Sequence, residues 1–208
     1  MLVAIILFLI INMEKIQDIT KMKQYVLSII SDNYNEGCGV MVGDMFITAG
    51  HVIYKCINPS IRWNGKKIPL INPIVFHNDE NISESYDIAV YSVPNANSPL
   101  VLSNIVPEKD DVLKSCSWRM LGEEYVECNA VVNGLKEGNY YAADTDKQLK
   151  SGSSGSPVFL NGEVVGILCA GNCNDDNTPC NTEWPLNLCV FLSSKVILGL
   201  LGTNCGKQ

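Results

Sequence analysis

Three residues of this chain have the types that acyl-transfer chemistry requires. Ser154 lies in Lys150-Ser151-Gly152-Ser153-Ser154-Gly155-Ser156-Pro157, just ahead of the apolar run Val158-Phe159-Leu160. Small neighbours permit a sharp turn, leave the hydroxyl open and let backbone N–H groups face a substrate oxygen. On its own such a cluster also reads as a flexible loop. A serine hydroxyl attacks only when a base takes its proton. The chain has 2 histidines, and His51 closes the block Thr48-Ala49-Gly50-His51. The other, His77, stands in a polar stretch and reads as an ordinary surface residue. Asp87 opens Tyr86-Asp87-Ile88-Ala89-Val90 and would orient the imidazole, with the apolar residues after it burying its surroundings. Asp79, Glu80 and Glu84 have no such context.

The order His, Asp, Ser is one in which such a triad is found. The opposite order of an α/β-hydrolase, serine before histidine, argues against an esterase of that fold. The three blocks resemble the signatures of trypsin-like, chymotrypsin-fold serine proteases, from about Gly37 to about Leu201. The block after Asp87 and the Asn-Gly turn after the serine are more similar to the bacterial branch of high-temperature-requirement and glutamyl endopeptidases than to digestive trypsins. The resemblance implies an all-β fold of two six-stranded antiparallel Greek-key barrels, and an oxyanion hole made by the N–H groups of Gly152 and Ser154. It also implies a protein or peptide substrate, with no metal or cofactor. The other reading of the same blocks is a catalytically inactive homologue acting as a binding module.

By the same resemblance, the substrate pocket draws on Gln148, Leu168, Cys169, Ala170 and Gly171. Gln148 stands where a trypsin has aspartate, and no histidine lies on the pocket strand, so an apolar side chain of small or medium size is expected; Asp144 and Asp146 are near enough in sequence to approach. Cys169 takes the place of a serine that supports the aspartate in the family. Ser153 precedes the nucleophile where digestive trypsins have an aspartate that receives a new N-terminal ammonium, so activation by that insertion is not expected.

The elements that position these residues read as mostly β. Asn-Gly pairs at 64–65, 133–134 and 161–162 separate apolar runs, and each predicts a type I′ hairpin. Gly43-Asp44 separates two further apolar segments, and Asn95 to Asp111 reads as the link between a first barrel over about 37–95 and a second over about 110–202. Apolar residues at helical spacing from Ile16 to Ile30 predict an amphipathic helix over Glu14 to Ser31, within an N-terminal region 13–36. Ser193 as N-cap, the run Val196-Ile197-Leu198 and Gly202 as a stop predict a short C-terminal helix.

Residues 1–12 are apolar but short for a membrane span. They read either as a hydrophobic leader, giving export and membrane contact, or as a mistaken extension before a true start at Met13, giving a cytoplasmic protein. With 208 residues and 47% hydrophobic content the chain can bury a large core. A formal net charge of −7 and the absence of a basic run argue against nucleic acid as a partner. The 9 cysteines are an odd number, compatible with reduced thiols or with an oxidised protein leaving one over. The resemblance implies a disulfide around the histidine block, where Cys38 and Cys56 flank His51; a Cys173–Cys180 staple and a zinc site from Cys169, Cys173, Cys180 and Cys189 are the other arrangements the spacing leaves open.

Overall fold

The structure is a computed structural model and describes residues 19–34, 37–78, 86–119, 123–171 and 187–204. Residues 1–18, with the leader and the start of the expected first helix, lie outside them. So do Cys173, Cys180, Asp79, Glu80 and Glu84. No described helix is long and apolar enough to cross a membrane.

The first half forms strands β1 (Val26–Ser28), β2 (Cys38–Val42), β3 (Met45–Thr48), β4 (Ser60–Trp63), β5 (Lys66–Pro69), β6 (Val75–Asn78) and β7 (Asp87–Ser92). Five of them make one open sheet in the order β1-β2-β3-β7-β6, and β4 and β5 pair separately. The second half, β8 (Val112–Arg119), β9 (Glu124–Glu137), β10 (Tyr140–Thr145), β11 (Pro157–Leu160), β12 (Glu163–Gly171) and β13 (Leu188–Ser193), closes into an antiparallel barrel.

One closed six-stranded barrel and one open sheet therefore replace the expected pair of closed barrels. The first sheet stays open because the β4–β5 hairpin packs on it without joining its ladder; among the described residues its backbone pairs there only in the isolated bridge Ile30↔Ser60, with N–H to carbonyl bonds of 2.8 and 2.9 Å. β1 and β6 are left as edges. Period-two alternation sorts the side chains. On β7, Ile88 and Val90 join the core shared with the barrel residues Tyr140, Ala142, Ile167 and Leu192, while Ala89 and Tyr91 pack on the other face with Phe46, Val52 and Ile61. Tyr141, Ala143, Val165 and Phe191 fill the barrel interior.

Two of the Asn-Gly turns behave as their chemistry dictates. Asn64 and Gly65 have φ of 49° and 77°, Asn161 and Gly162 of 52° and 85°, and each pair joins two adjacent strands. Asn133-Gly134 does not form a hairpin. It lies inside β9, where the register shifts between Tyr141 and Ala143 of the partner strand, and Gly134 takes φ of 86° in that irregularity. The hairpin comes later, at Gly138-Asn139.

The expected helix over 14–31 is also corrected. Its described part ends as α1 (Ile19–Met22) and a single 3₁₀ turn, Lys23–Tyr25, and the chain then enters β1. Pairing of Val26 with Val40 and Ser28 with Cys38 outweighs the helical spacing. At the other end α3 (Ser194–Asn204) is present, with Lys195 N–H donating to the Ser193 hydroxyl at 3.3 Å, and it runs through Gly202 rather than stopping there.

Candidate active site

Each residue of the histidine block has a structural task. Thr48 ends β3, and its hydroxyl donates to the Cys38 carbonyl at 2.5 Å. Ala49 is fully buried. Gly50 begins the short helix α2 (Gly50–Lys55), where a Cβ would lie 1.9 Å from the His77 carbonyl oxygen, so only glycine fits. The next residue, His51, is thereby aimed back at the start of β7.

There it meets Asp87 twice. The backbone N–H of His51 donates to Asp87 Oδ1 at 2.7 Å, and imidazole Nδ1 lies 2.6 Å from Oδ2. A carboxylate only accepts, so Nδ1 carries the proton of this bond and Nε2 is left with its lone pair when the ring is neutral. The carboxylate side chain is 12% exposed and the imidazole 26%. That arrangement shields the anion and leaves the ring edge open to a substrate. Two groups of the barrel reach Asp87 as well: its N–H donates to the Tyr140 phenol oxygen at 2.8 Å, and the Cys169 thiol donates to its backbone carbonyl at 3.4 Å. Burial, and then the charge of Asp87, hold the Cys169 thiol well above its ordinary pKa.

The serine segment joins β10 to β11 and is pressed against the histidine block. Cys38 N–H donates to the Ser154 carbonyl at 2.8 Å, and Gly155 N–H donates to Leu168 at 2.7 Å. Gly155 has φ of 84°, and a Cβ there would lie 2.0 Å from the Cys38 oxygen and 2.3 Å from the Thr48 hydroxyl. Just upstream, Ser153 N–H donates to the Lys150 carbonyl at 3.1 Å across Gly152, whose φ is 87°. An i to i+3 bond with positive φ at the third residue is a type II turn. Among the described residues, the N–H groups of Gly152 and Ser154 have no hydrogen-bond acceptor, whereas those of Ser153, Gly155 and Ser156 each have one. Gly152 is buried and Ser154 half-buried, and one residue separates the two N–H groups. No hydrogen bond joins the Ser154 hydroxyl to His51 in this structure. Such bonds are often long before substrate is present.

The expected pocket residues divide. Leu168 and Cys169 are buried, Ala170 and Gly171 half-buried, and a Cβ at Gly171 would lie 2.9 Å from Leu149. Gln148 has a buried side-chain nitrogen without a hydrogen-bond partner among the described residues. Asp146 is engaged elsewhere, accepting from the backbone and side-chain nitrogens of Asn129 at 2.9 and 2.7 Å, and Asp144 is exposed.

His77 is not in a polar loop. It lies in β6 opposite Ile88, half-buried and edge-on to Tyr86 at 5.4 Å. Cys38 and Cys56 are both thiols and no disulfide joins them, so the bridge implied for that region is not formed. Cys38 instead binds the barrel, its sulfur donating to the Trp118 carbonyl and accepting from the Trp118 N–H at 3.1 Å. Neither this role nor that of Tyr140 has a sequence signal, because the partners are 80 and 53 residues apart.

Comparison with known proteins is consistent with this geometry. The family model of the trypsin-like peptidase domain matches residues 35–167. No curated protein matches the chain. Among solved structures, the active form of the Rv3671c protease from M. tuberculosis shares 17% identity over 88% of this chain and 82% of its own, with a TM-score of 0.65. The serine endoprotease from Yersinia pestis shares 18% over 88% of this chain and 64% of its own, at 0.64. An inactivated protease paralogue of the scabies mite, S-D1, shares 15% over 89% and 94%, at 0.68. At these identities the likeness extends to the fold, which is chymotrypsin-like.

Proposed function

Since the chain belongs to the trypsin-like peptidase domain family, we propose that it is a serine endopeptidase acting through His51, Asp87 and Ser154. The observation that carries the reading is the doubly bonded, shielded His51–Asp87 pair, set beside a serine turn whose Gly152 and Ser154 N–H groups have no acceptor among the described residues.

In the proposed mechanism His51 Nε2 takes the Ser154 proton as Oγ attacks the peptide carbonyl. Asp87 holds the ring by Nδ1 and stabilises the imidazolium. The N–H groups of Gly152 and Ser154 receive the oxyanion, and His51 returns its proton to the leaving amine. Water then repeats the sequence on the acyl-enzyme. Within the family we place the chain nearer the bacterial high-temperature-requirement and glutamyl endopeptidases than the digestive trypsins. Leu149 occupies the space beside Gly171, which fits a small or medium apolar residue on the acyl side of the cut bond.

Fluorophosphonate labelling of the full chain tests this reading. Labelling of the wild type that is lost in both Ser154→Ala and His51→Ala is the expected result. A folded wild type that takes no label would instead favour the second reading, an inactive binding module. That alternative draws on the missing bond between Ser154 and His51 and on inactivated paralogues of the same fold. Label that survives Ser154→Ala would mean that another nucleophile is at work.

A further inference from the structure

Asp87 is held from both halves of the molecule. Its carboxylate serves His51 of the open sheet, while its backbone N–H donates to Tyr140 of the closed barrel. The last pairing of β3 with β7 is Thr48↔Ala89, so Asp87 stands two residues beyond the end of that ladder. At this point a side chain from the other half supplies the acceptor. Tyr140 is 2% exposed and packs in the core shared by the two halves, whereas its neighbour Tyr141 turns into the barrel and stacks on Phe191 at 5.7 Å. The strand that carries Tyr140, β10, leads directly into the Ser154 turn.

Resting on the proposed peptidase function, we infer that Tyr140 is a positioning residue, which fixes the Asp87 peptide, and through its carboxylate the His51 ring, relative to the barrel that carries Ser154. The bond from the Asp87 N–H to the phenol oxygen fixes the backbone at residue 87, and with it the Cα position from which the carboxylate reaches the N–H and Nδ1 of His51. With phenylalanine at 140 the buried N–H has no acceptor there, and the Asp87 peptide is free to turn toward another one. The 2.6 Å bond from Nδ1 then lengthens, although no residue that touches substrate has changed.

The test uses the full chain and three variants, Tyr140→Phe, Tyr141→Phe and Ser154→Ala. Two readouts are taken: turnover of a peptide ester, and the proton NMR resonance of His51 Nδ1–H, which a short bond to a carboxylate deshields. Tyr140→Phe should lower kcat by about tenfold with KM nearly unchanged, because the lost alignment matters only as charge develops. It should also move the His51 resonance upfield. Tyr141→Phe should leave both in place. Unchanged kcat in Tyr140→Phe overturns the inference, and so does a lowered kcat with an unmoved resonance, since plain loss of barrel stability would give that. If Tyr140→Phe does not fold, a ring-fluorinated tyrosine at 140 keeps the shape and weakens the acceptor; the resonance must still move upfield. A wild type whose turnover is indifferent to Ser154→Ala would sink the peptidase reading, while the resonance still decides the role of Tyr140.

Discussion

Replacing Gly155 with alanine should damage both the stability and the chemistry of this protein. The residue has φ of 84°, which costs a side chain about 1–2 kcal/mol. The larger effect is contact. A Cβ would sit 2.0 Å from the Cys38 carbonyl oxygen and 2.3 Å from the Thr48 hydroxyl, and neither the β2 backbone nor a hydroxyl already bonded at 2.5 Å has room to retreat. The turn itself must move by about an ångström, since real contacts lie above 3 Å. That movement strains the bonds from Gly155 to Leu168 and from Cys38 to Ser154, at about 1 kcal/mol each. Together these terms come to about 3–4 kcal/mol, which for a domain of this size lowers Tm by about 6–16 °C. Gly43→Ala is the control: φ there is 54° but nothing lies within 4 Å of the new Cβ, so it should show backbone strain alone and label normally. The assays are thermal unfolding followed by circular dichroism, and the fluorophosphonate labelling rate of the folded fraction. Gly155→Ala should label at least tenfold more slowly. A Gly155→Ala protein that melts with Gly43→Ala and labels at the wild-type rate would refute the packing of the Ser154 turn on Cys38.

At Gly152 the opposite pattern is expected. The type II turn over 150–153 relieves an alanine by flipping its central peptide to type I, which preserves the Lys150 to Ser153 bond but turns the N–H away and a carbonyl inward. Gly152→Ala should therefore keep nearly its full Tm and lose about a hundredfold in kcat, and wild-type turnover would remove Gly152 from the oxyanion site. The buried thiols make a prediction about alkaline stability. Burial foremost pushes Cys116 and Cys189 up to about 12 and Cys128 up to about 11, from an ordinary value of 9.0. Above pH 9 the unfolded chain releases protons that the folded chain keeps, so stability falls as pH rises, by about 1.4 kcal/mol per unit for each thiol, and is fully retained below. Urea unfolding midpoints should drop between about pH 9 and pH 11; a flat profile over that range would mean that these thiols are not buried as described.

What could be read in the sequence was local. The blocks around His51, Asp87 and Ser154 are legible because each fixes its own backbone: Gly50 has no room for a Cβ, Gly155 has positive φ and a neighbour at 2.0 Å, and Ile88 to Val90 bury the strand behind the carboxylate. The turns at Asn64 and Asn161 are legible for the same reason. Asn133-Gly134 misleads because the positive φ that suits a hairpin equally suits an irregularity within a strand. Val26 and Ile29 mislead because apolar residues three apart also fit a strand of only three residues, Val26 at its start and Ile29 just past its end. The open first sheet was hidden too, since hairpin signals tell which strands form and not whether their ends meet.

The long-range contacts were the least legible, and they are the ones that assemble the site. Each half of the molecule holds the other half's chemistry. Cys38, from the open sheet, binds the Ser154 carbonyl of the barrel's turn, and the Thr48 hydroxyl packs against Gly155. Tyr140 and Cys169, from the barrel, clamp Asp87 of the open sheet. Cys38 is the meeting point: its N–H binds Ser154, its carbonyl accepts from Thr48 and its sulfur is held by Trp118. The apolar core between the halves includes Val40, Ile47 and Ile88 on one side and Tyr140, Ile167 and Cys169 on the other, so docking is driven by burial while these four contacts set its register. The proposed base, on α2 beside the open sheet, and the proposed nucleophile, in a turn of the barrel, come within reach of each other only when that register holds. Reciprocal clamping makes a slip costly from either side, because it would break buried polar bonds at both ends of the site.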